Sequence, residues 1–322
     1  MHHLHRRALL GAAAALPFAA PALAAFPDQP VRITVPWPAG GLADLSIRVL
    51  APAMANTFGQ PVVVENRAGA NGAVGTQSVA RAAPDGHALI LANAETHAIN
   101  PLIYPRLPYD AVRDFTPVTV FARAPFVLIR RPGLAADSLE ALIALARAAP
   151  GRITYASWGI GSTAHLAMEM LARSAGVQML HVPFTGSAPA GTALQGGQVD
   201  VMFITAGAGE AAARDGRVKI LAAGSPTRIP LLPDVPTLAE LGQPIEAGNW
   251  YGLLGPARVP DAVAARIAQV TTEALRAPAT EDRYRALATL PLMTGPDQAR
   301  AFIAADRARW EPLVRALDIR IE

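Results

Sequence analysis

The 322-residue chain contains no cysteine and only one lysine, Lys219. The first absence excludes disulfides, thiolate nucleophiles, cysteine-ligated metals and a lipid anchor on an N-terminal cysteine. Charge of one sign is also scarce. There are 28 basic and 25 acidic residues. Loss of the leader described below removes Arg6 and Arg7, leaving a net charge of about +1. Such a balance carries no nucleic-acid footprint. Beyond the leader, no stretch is long and apolar enough to cross a bilayer. Three of the seven histidines lie at positions 2, 3 and 5, so neither a metal cluster nor a cofactor is expected. The signatures G-x-x-x-x-G-K-[ST], G-x-S-x-G, S-x-x-K and H-E-x-x-H are missing, and no two acids stand at a spacing suited to acid–base work.

The first residues have the three parts of an export leader. Arg6-Arg7 supply a positive start, Ala8–Ala20 is a run of small apolar residues, and Ala22-Leu23-Ala24 is a small-residue cleavage site. The mature chain is expected to begin at Ala25 and to work outside the cytoplasm. The adjacent arginines leave the twin-arginine route open beside the general one. Roughly 300 mature residues are enough for two domains with proper cores.

Short β-branched runs alternate with helical stretches from Val31 onward, which argues for parallel sheets with helices on their faces. Strands are expected at Val31–Trp37, Val62–Glu65 and Ala88–Ala92, with helices at Ala43–Phe58 and Ala73–Ala82. Thr96–Asp114, holding Pro101, Pro105 and Pro108, reads as an irregular excursion. Two extended segments, Pro117–Arg123 and Phe126–Arg130, follow on either side of Pro125 and make a candidate crossing between domains. A second alternating series runs from the helix Ser138–Ala148, opened by Asp137-Ser138, through strands at Ile153–Ser157, Gln178–Pro183, Val199–Thr205 and Val218–Ala223. Its helices are expected at Thr163–Ser174 and Pro189–Gln195. Asn249–Leu254 reads as a strand crossing back, and helices at Asp261–Arg276, Glu281–Leu290 and Gln298–Leu317 end the chain.

Two glycine-rich turns, one in each half, join a strand to a helix. The first is Val35-Pro36-Trp37-Pro38-Ala39-Gly40-Gly41-Leu42-Ala43-Asp44, and the second is Ser157-Trp158-Gly159-Ile160-Gly161-Ser162-Thr163-Ala164-His165. Free N–H groups at the start of a helix make an anion site without a cationic side chain. Two such turns suggest a cleft that grips an acidic ligand from both sides. The competing reading of Gly40-Gly41 is a plain tight turn, and of Asp44 a helix-capping acid or one that orients the loop. The second turn formally matches the dinucleotide fingerprint G-x-G-x-x-A. The next strand, however, ends His181-Val182-Pro183-Phe184 with no acid for a ribose hydroxyl. The hydroxyls of Ser157, Ser162 and Thr163 suit a small carboxylate instead. His165 reads either as a packed histidine or as a donor to a ligand oxygen, and Trp158 as a wall of the pocket. Arg67 reads as a tie between loops.

The chain resembles the substrate-binding proteins of tripartite tricarboxylate transporters, the Bug family. The resemblance is carried by Pro36-Trp37-Pro38-Ala39-Gly40-Gly41 with Asp44, Gly59–Arg67, Pro84-Asp85-Gly86, Asn100-Pro101, Leu107–Asp110 and Asp114-Phe115. It continues through Tyr155-Ala156-Ser157, Gly161-Ser162, His165-Leu166-Ala167, His181-Val182-Pro183 and Leu232–Thr237. It covers nearly all of the mature chain. It implies a type II periplasmic binding-protein fold, two α/β domains with a ligand cleft between them. It also implies a periplasmic carboxylate-binding function with membrane transporter subunits as partners. The expected division is 1–24 leader, 25–124 with 249–322 as one domain, and 125–248 as the other. The expected ligand residues are Ala39, Gly40, Gly41, Asp44, Ser157, Trp158, Gly161, Ser162, Thr163, His165 and Thr205. Three positions depart from the family pattern. Ala39 stands where proline is frequent, and Trp158 where a small residue is. Ile204–Gly209 has none of the acid that many members carry there, which makes an amino-acid ligand less expected. A sensing module for a signalling partner and an exported α/β enzyme are the readings left beside it.

Overall fold

The computed structural model describes residues 26–321, and the export leader expected over 1–24 lies outside the described residues. Val31–Val35 (β1), Val62–Asn66 (β2) and Ala88–Ala92 (β3) pair in parallel, with β1 in the middle. Helices Leu42–Phe58 (α1) and Ala73–Ala80 (α2) connect them, and such crossovers are what parallel neighbours require. Two antiparallel strands extend this sheet beyond β3. Gly248–Pro256 (β9) pairs with β3, and Phe115–Arg130 (β4) pairs with β9.

β4 is the strand that makes two sheets one molecule. Its 16 residues rise about 50 Å at the usual strand repeat. From Phe115 to Pro125 it pairs with β9. From Phe126 to Arg130 it pairs with Val201–Thr205 (β7) and Lys219–Ala223 (β8) in the second sheet. There Thr154–Ser157 (β5) runs parallel to β7 and to Leu180–Pro183 (β6). The two expected extended segments are thus one strand, and Pro125 sits inside it at the change of partners. Proline is tolerated there because this is where the ladder changes hands. The chain returns through β9, whose Gly248 and Asn249 face Pro125 and Ala124.

Each sheet is covered on both faces, which explains why its strands are almost continuously apolar. In the first lobe α1 and Asp261–Leu275 (α8) pack Ile47, Leu50, Met54, Ile267 and Val270 against β1. The other face carries α2 and the long C-terminal helix Pro296–Leu317 (α10), which buries Trp310 against Ile90 and Trp250. In the second lobe β4 alternates strictly. Phe126 and Leu128 pack with Leu139–Ala148 (α4) and Thr163–Ala175 (α5), while Val127 and Ile129 pack with Ser187–Gln195 (α6) and Ala206–Arg214 (α7).

Three expectations need correction. The stretch beginning at Thr96 is not irregular throughout, for Glu95–Ile99 is a π-helical turn running into the short helix Asn100–Ile103 (α3). Its start is fixed by Asn93 and Thr96, whose side chains each accept the other's main-chain N–H at 3.1 Å. α7 was not anticipated, because Ala206–Arg214 holds two glycines and no large apolar residue. The helix expected at Glu281–Leu290 lies at Pro278–Ala286 (α9), started by a proline in its first turn. Leu290–Pro291 (β10) then pairs with β4 instead.

Candidate ligand site

The first turn leaves β1 and enters α1. Gly40 takes a left-handed conformation (φ 83°) that a side chain would strain. Asp44 is turned inward and only 2 % exposed. Its Oδ2 accepts from the Gly40 N–H at 2.9 Å, and its Oδ1 accepts from Arg48 Nε at 2.8 Å and Asn66 Nδ2 at 2.9 Å. Asn66 also donates to the Trp37 carbonyl. Burial pushes the Asp44 carboxyl pKa up, but these hydrogen bonds outweigh it and hold the pKa below its ordinary value. Asp44 therefore ties β1, β2 and α1 together, and it occupies the Gly40 N–H itself. Ala39 and Gly40 are exposed and Gly41 is half-buried. No side chain caps α1 at Gly41, so its leading N–H groups lack the acceptors that helix ends need. Arg67 pairs with Glu65.

The second turn is built differently. Ser162 caps α5, accepting from the His165 N–H at 3.3 Å and donating to the Gly159 carbonyl at 2.7 Å. Ser157 accepts from the Gly159 N–H and shares a 2.7 Å hydrogen bond with His181 Nε2. The Gly161 N–H donates to His165 Nδ1 at 3.1 Å, so His165 carries its proton on Nε2. Gly161 is left-handed (φ 74°). The rings of His165 and His181 stack with centroids 4.0 Å apart, and Tyr155 stacks on His181. Burial, and for His165 the neighbouring His181, pushes their pKa values down to about 3 and about 4. Thr205 stands half-buried at the end of β7, where α7 begins.

Across the gap between the lobes, the second turn meets a carboxylate that belongs to the chain. Glu95, 1 % exposed, projects from the π-helical turn after β3. Its Oε1 accepts from the Thr163 N–H at 3.1 Å, from Thr163 Oγ1 at 2.7 Å and from Trp158 Nε1 at 3.3 Å. Its Oε2 accepts from Asn249 Nδ2 at 2.7 Å. Thr163 and Trp158, both expected at a ligand, thus converge on an anion. Glu95 and Asn249 were missed by the sequence reading. The only signal for Glu95 was its place at a strand end, where α/β folds bind ligands. The first turn lies close by, for a Cβ on Gly72 would stand 3.3 Å from the Trp37 ring and 2.7 Å from the Thr96 methyl. Two surface grooves, of about 300 Å³ beside Arg123 and Phe302 and about 520 Å³ beside Asp110 and Arg307, contain no residue of either turn.

Residues 46–319 match the family model described as tripartite tricarboxylate transporter family receptor. The chain belongs to this family. Protein BugT of Bordetella pertussis is 36 % identical over 299 residues, covering 92 % of each chain. Among solved structures, Rpa4515 of R. palustris, recorded with adipate, is 30 % identical with a TM-score of 0.86, covering 92 % of this chain and 99 % of that one. MatC of Rhodopseudomonas palustris, recorded with bound malate, is 33 % identical with a TM-score of 0.79, covering 90 % and 100 %. The fold is thus the two-domain periplasmic binding-protein fold. The chain is a periplasmic solute-binding protein of the tripartite tricarboxylate transporter type, and it is not an enzyme. Among the described residues no group of three or more His, Asp or Glu side chains could hold a metal ion, and no helix is long and apolar enough to cross a membrane.

Proposed function

We propose that this protein captures a small organic carboxylate between its two lobes and delivers it to the membrane subunits of a tripartite tricarboxylate transporter. The observation that carries this reading is the uncapped start of α1 at Gly41, held open by the buried Asp44. The main-chain N–H groups of Ala39 and of Gly41 to Ala43 cradle the ligand carboxylate, that of Gly40 being held by Asp44, with the positive end of the helix favouring its charge. Asp44 positions that turn and does not face the anion. Trp158 and Thr205 wall the cleft from the other lobe, while Ser157, Gly161, Ser162 and His165 shape the second turn behind Thr163. The lobes divide at Ala124–Pro125 and Gly248–Asn249, the two places where strands pass from one sheet to the other, and they close about these strands. Residues 1–24 direct export. The carboxylate ligands of Rpa4515 and MatC support this class of ligand.

Thermal denaturation of the mature chain against a panel of mono-, di-, tri- and aromatic carboxylates tests the reading, with NAD and amino acids as controls. A ligand that binds only the native state raises its melting temperature by mass action. The expected result is a shift with at least one acid and none with NAD. A shift with NAD alone overturns the reading and returns the G-x-G-x-x-A turn to nucleotide binding.

A further inference from the structure

The two helix starts that face the cleft are not equivalent. At α1 the leading N–H groups have no capping side chain. At α5 nearly every donor is committed. Gly159 N–H goes to Ser157, Gly161 N–H to His165, Ser162 N–H to the Gly159 carbonyl, and Thr163 N–H and hydroxyl to Glu95. Glu95 reaches this position from the opposite lobe, is fully buried, and is held by four neutral donors.

We propose that Glu95 supplies the anion at the start of α5, so that the ligand brings a single carboxylate, for α1, and a remote end without a second negative charge. Resting on the carboxylate reading above, this names the substrate class as monocarboxylates, with dicarboxylates disfavoured. A second ligand carboxylate at α5 meets one of two obstacles. It can share the cleft with the Glu95 charge, which like-charge repulsion in a dry site penalises. Otherwise it displaces Glu95 from its four donors and leaves a charge buried without partners. A remote end bearing a hydroxyl or amide N–H meets neither obstacle. Oε2 of Glu95 accepts only one bond, from Asn249, and a carboxylate oxygen has room for two. Trp158, fixed by its bond to Oε1 of Glu95 and its edge-on contact with Phe126 (centroids 5.4 Å apart), adds an aromatic wall beside the carboxylate.

Isothermal titration of the mature protein with acids sharing a skeleton decides the matter. Hexanoate is compared with adipate, and benzoate and para-hydroxybenzoate with terephthalate, for the wild type, Glu95→Gln and Glu95→Ala. The Gln variant keeps an acceptor for Thr163 while removing the charge, so the test does not depend on the Ala variant folding. Circular dichroism checks both. The expected result is a wild type that prefers the monocarboxylate of a pair, and variants in which that preference moves toward the dicarboxylate by about tenfold or more. Wild-type preference for the dicarboxylate in every pair, or a ratio unmoved in both variants, overturns the inference and leaves the carboxylate reading standing. Binding of no acid by any of the three proteins overturns both.

Discussion

At the scale of single residues, two buried carboxylates organise the cleft, and they do so in opposite senses. Asp44 satisfies one N–H of its own turn, that of Gly40, and leaves the helix start beyond it open. Glu95 crosses to the other lobe and fills a helix start. The role of Asp44 as a loop-orienting acid was legible, because a carboxylate in the first turn of a helix after a glycine turn has few other uses. Glu95 was not legible, because its partners Thr163 and Asn249 lie 68 and 154 residues away. Local pattern carries no information about such a pairing. The Asp44 geometry makes a definite prediction. Replacing Asp44 with alanine removes the acceptor of the Gly40 N–H and of Arg48 Nε, and leaves Asn66 Nδ2 with the Trp37 carbonyl alone. The expected loss is about 1–3 kcal/mol of stability, the usual worth of hydrogen bonds to a charged group, together with weaker binding of whichever acid the panel identifies. Urea unfolding of the variant measures the first part. An unchanged midpoint at unchanged slope shows that the turn does not depend on Asp44.

At the scale of elements, the start of α5 works only with neutral histidines. His165 Nδ1 accepts the Gly161 N–H, and it cannot do so when protonated. His181 stacks on it at 4.0 Å, so two charges there repel. The native pKa values of about 3 and about 4 lie below the ordinary 6.5. The unfolded chain therefore takes up protons before the native state does as pH falls. The stability held by the neutral pair is fully present above about pH 6.5, and it is lost progressively as pH falls from there, until the loss is complete below the native values of about 4 and about 3. Denaturant unfolding at pH 7.5 and pH 5 should differ by roughly 4 kcal/mol from this pair, about 2 for each ring, and the difference should shrink in His181→Gln. A pH-independent midpoint across that range contradicts the assignment of neutral rings. The helices also show why some elements could be read and others could not. α4 was readable because Ser138 accepts the Ala141 N–H as a cap ahead of an amphipathic run. α7 was unreadable because its glycines serve packing rather than periodicity. A Cβ on Gly207 would lie 2.8 Å from the Leu287 carbonyl oxygen, and one on Gly209 would lie 2.4 Å from the Val127 side chain.

At the scale of the whole molecule, the chain crosses between the sheets on two adjacent antiparallel strands. The sequence announced both crossings as extended, apolar stretches after interrupted helical rhythm. It could not announce that the first is one unbroken strand shared by two sheets, because Pro125 ordinarily ends a ladder. That continuity matters for motion. In the proposed closure, rotation of one lobe against the other is absorbed near Ala124–Pro125 and Gly248–Asn249, while each sheet moves as a unit on its own two-faced core. A ligand that touches both lobes shifts the population toward the closed arrangement, since only that arrangement offers it both sets of contacts. The lack of any cysteine makes this measurable without background labelling. Val74 in the first lobe and Leu180 in the second are 52 % and 55 % exposed, and Met293, again in the first lobe, is 42 % exposed. Spin labels on cysteines at positions 74 and 180 should give a distance distribution that moves and narrows when the bound acid is added. A pair at positions 74 and 293, within one lobe, should not respond. Movement within the single lobe would place the flexibility inside a sheet's covering helices. Absence of movement in both pairs would mean that the ligand enters a cleft already closed by Glu95.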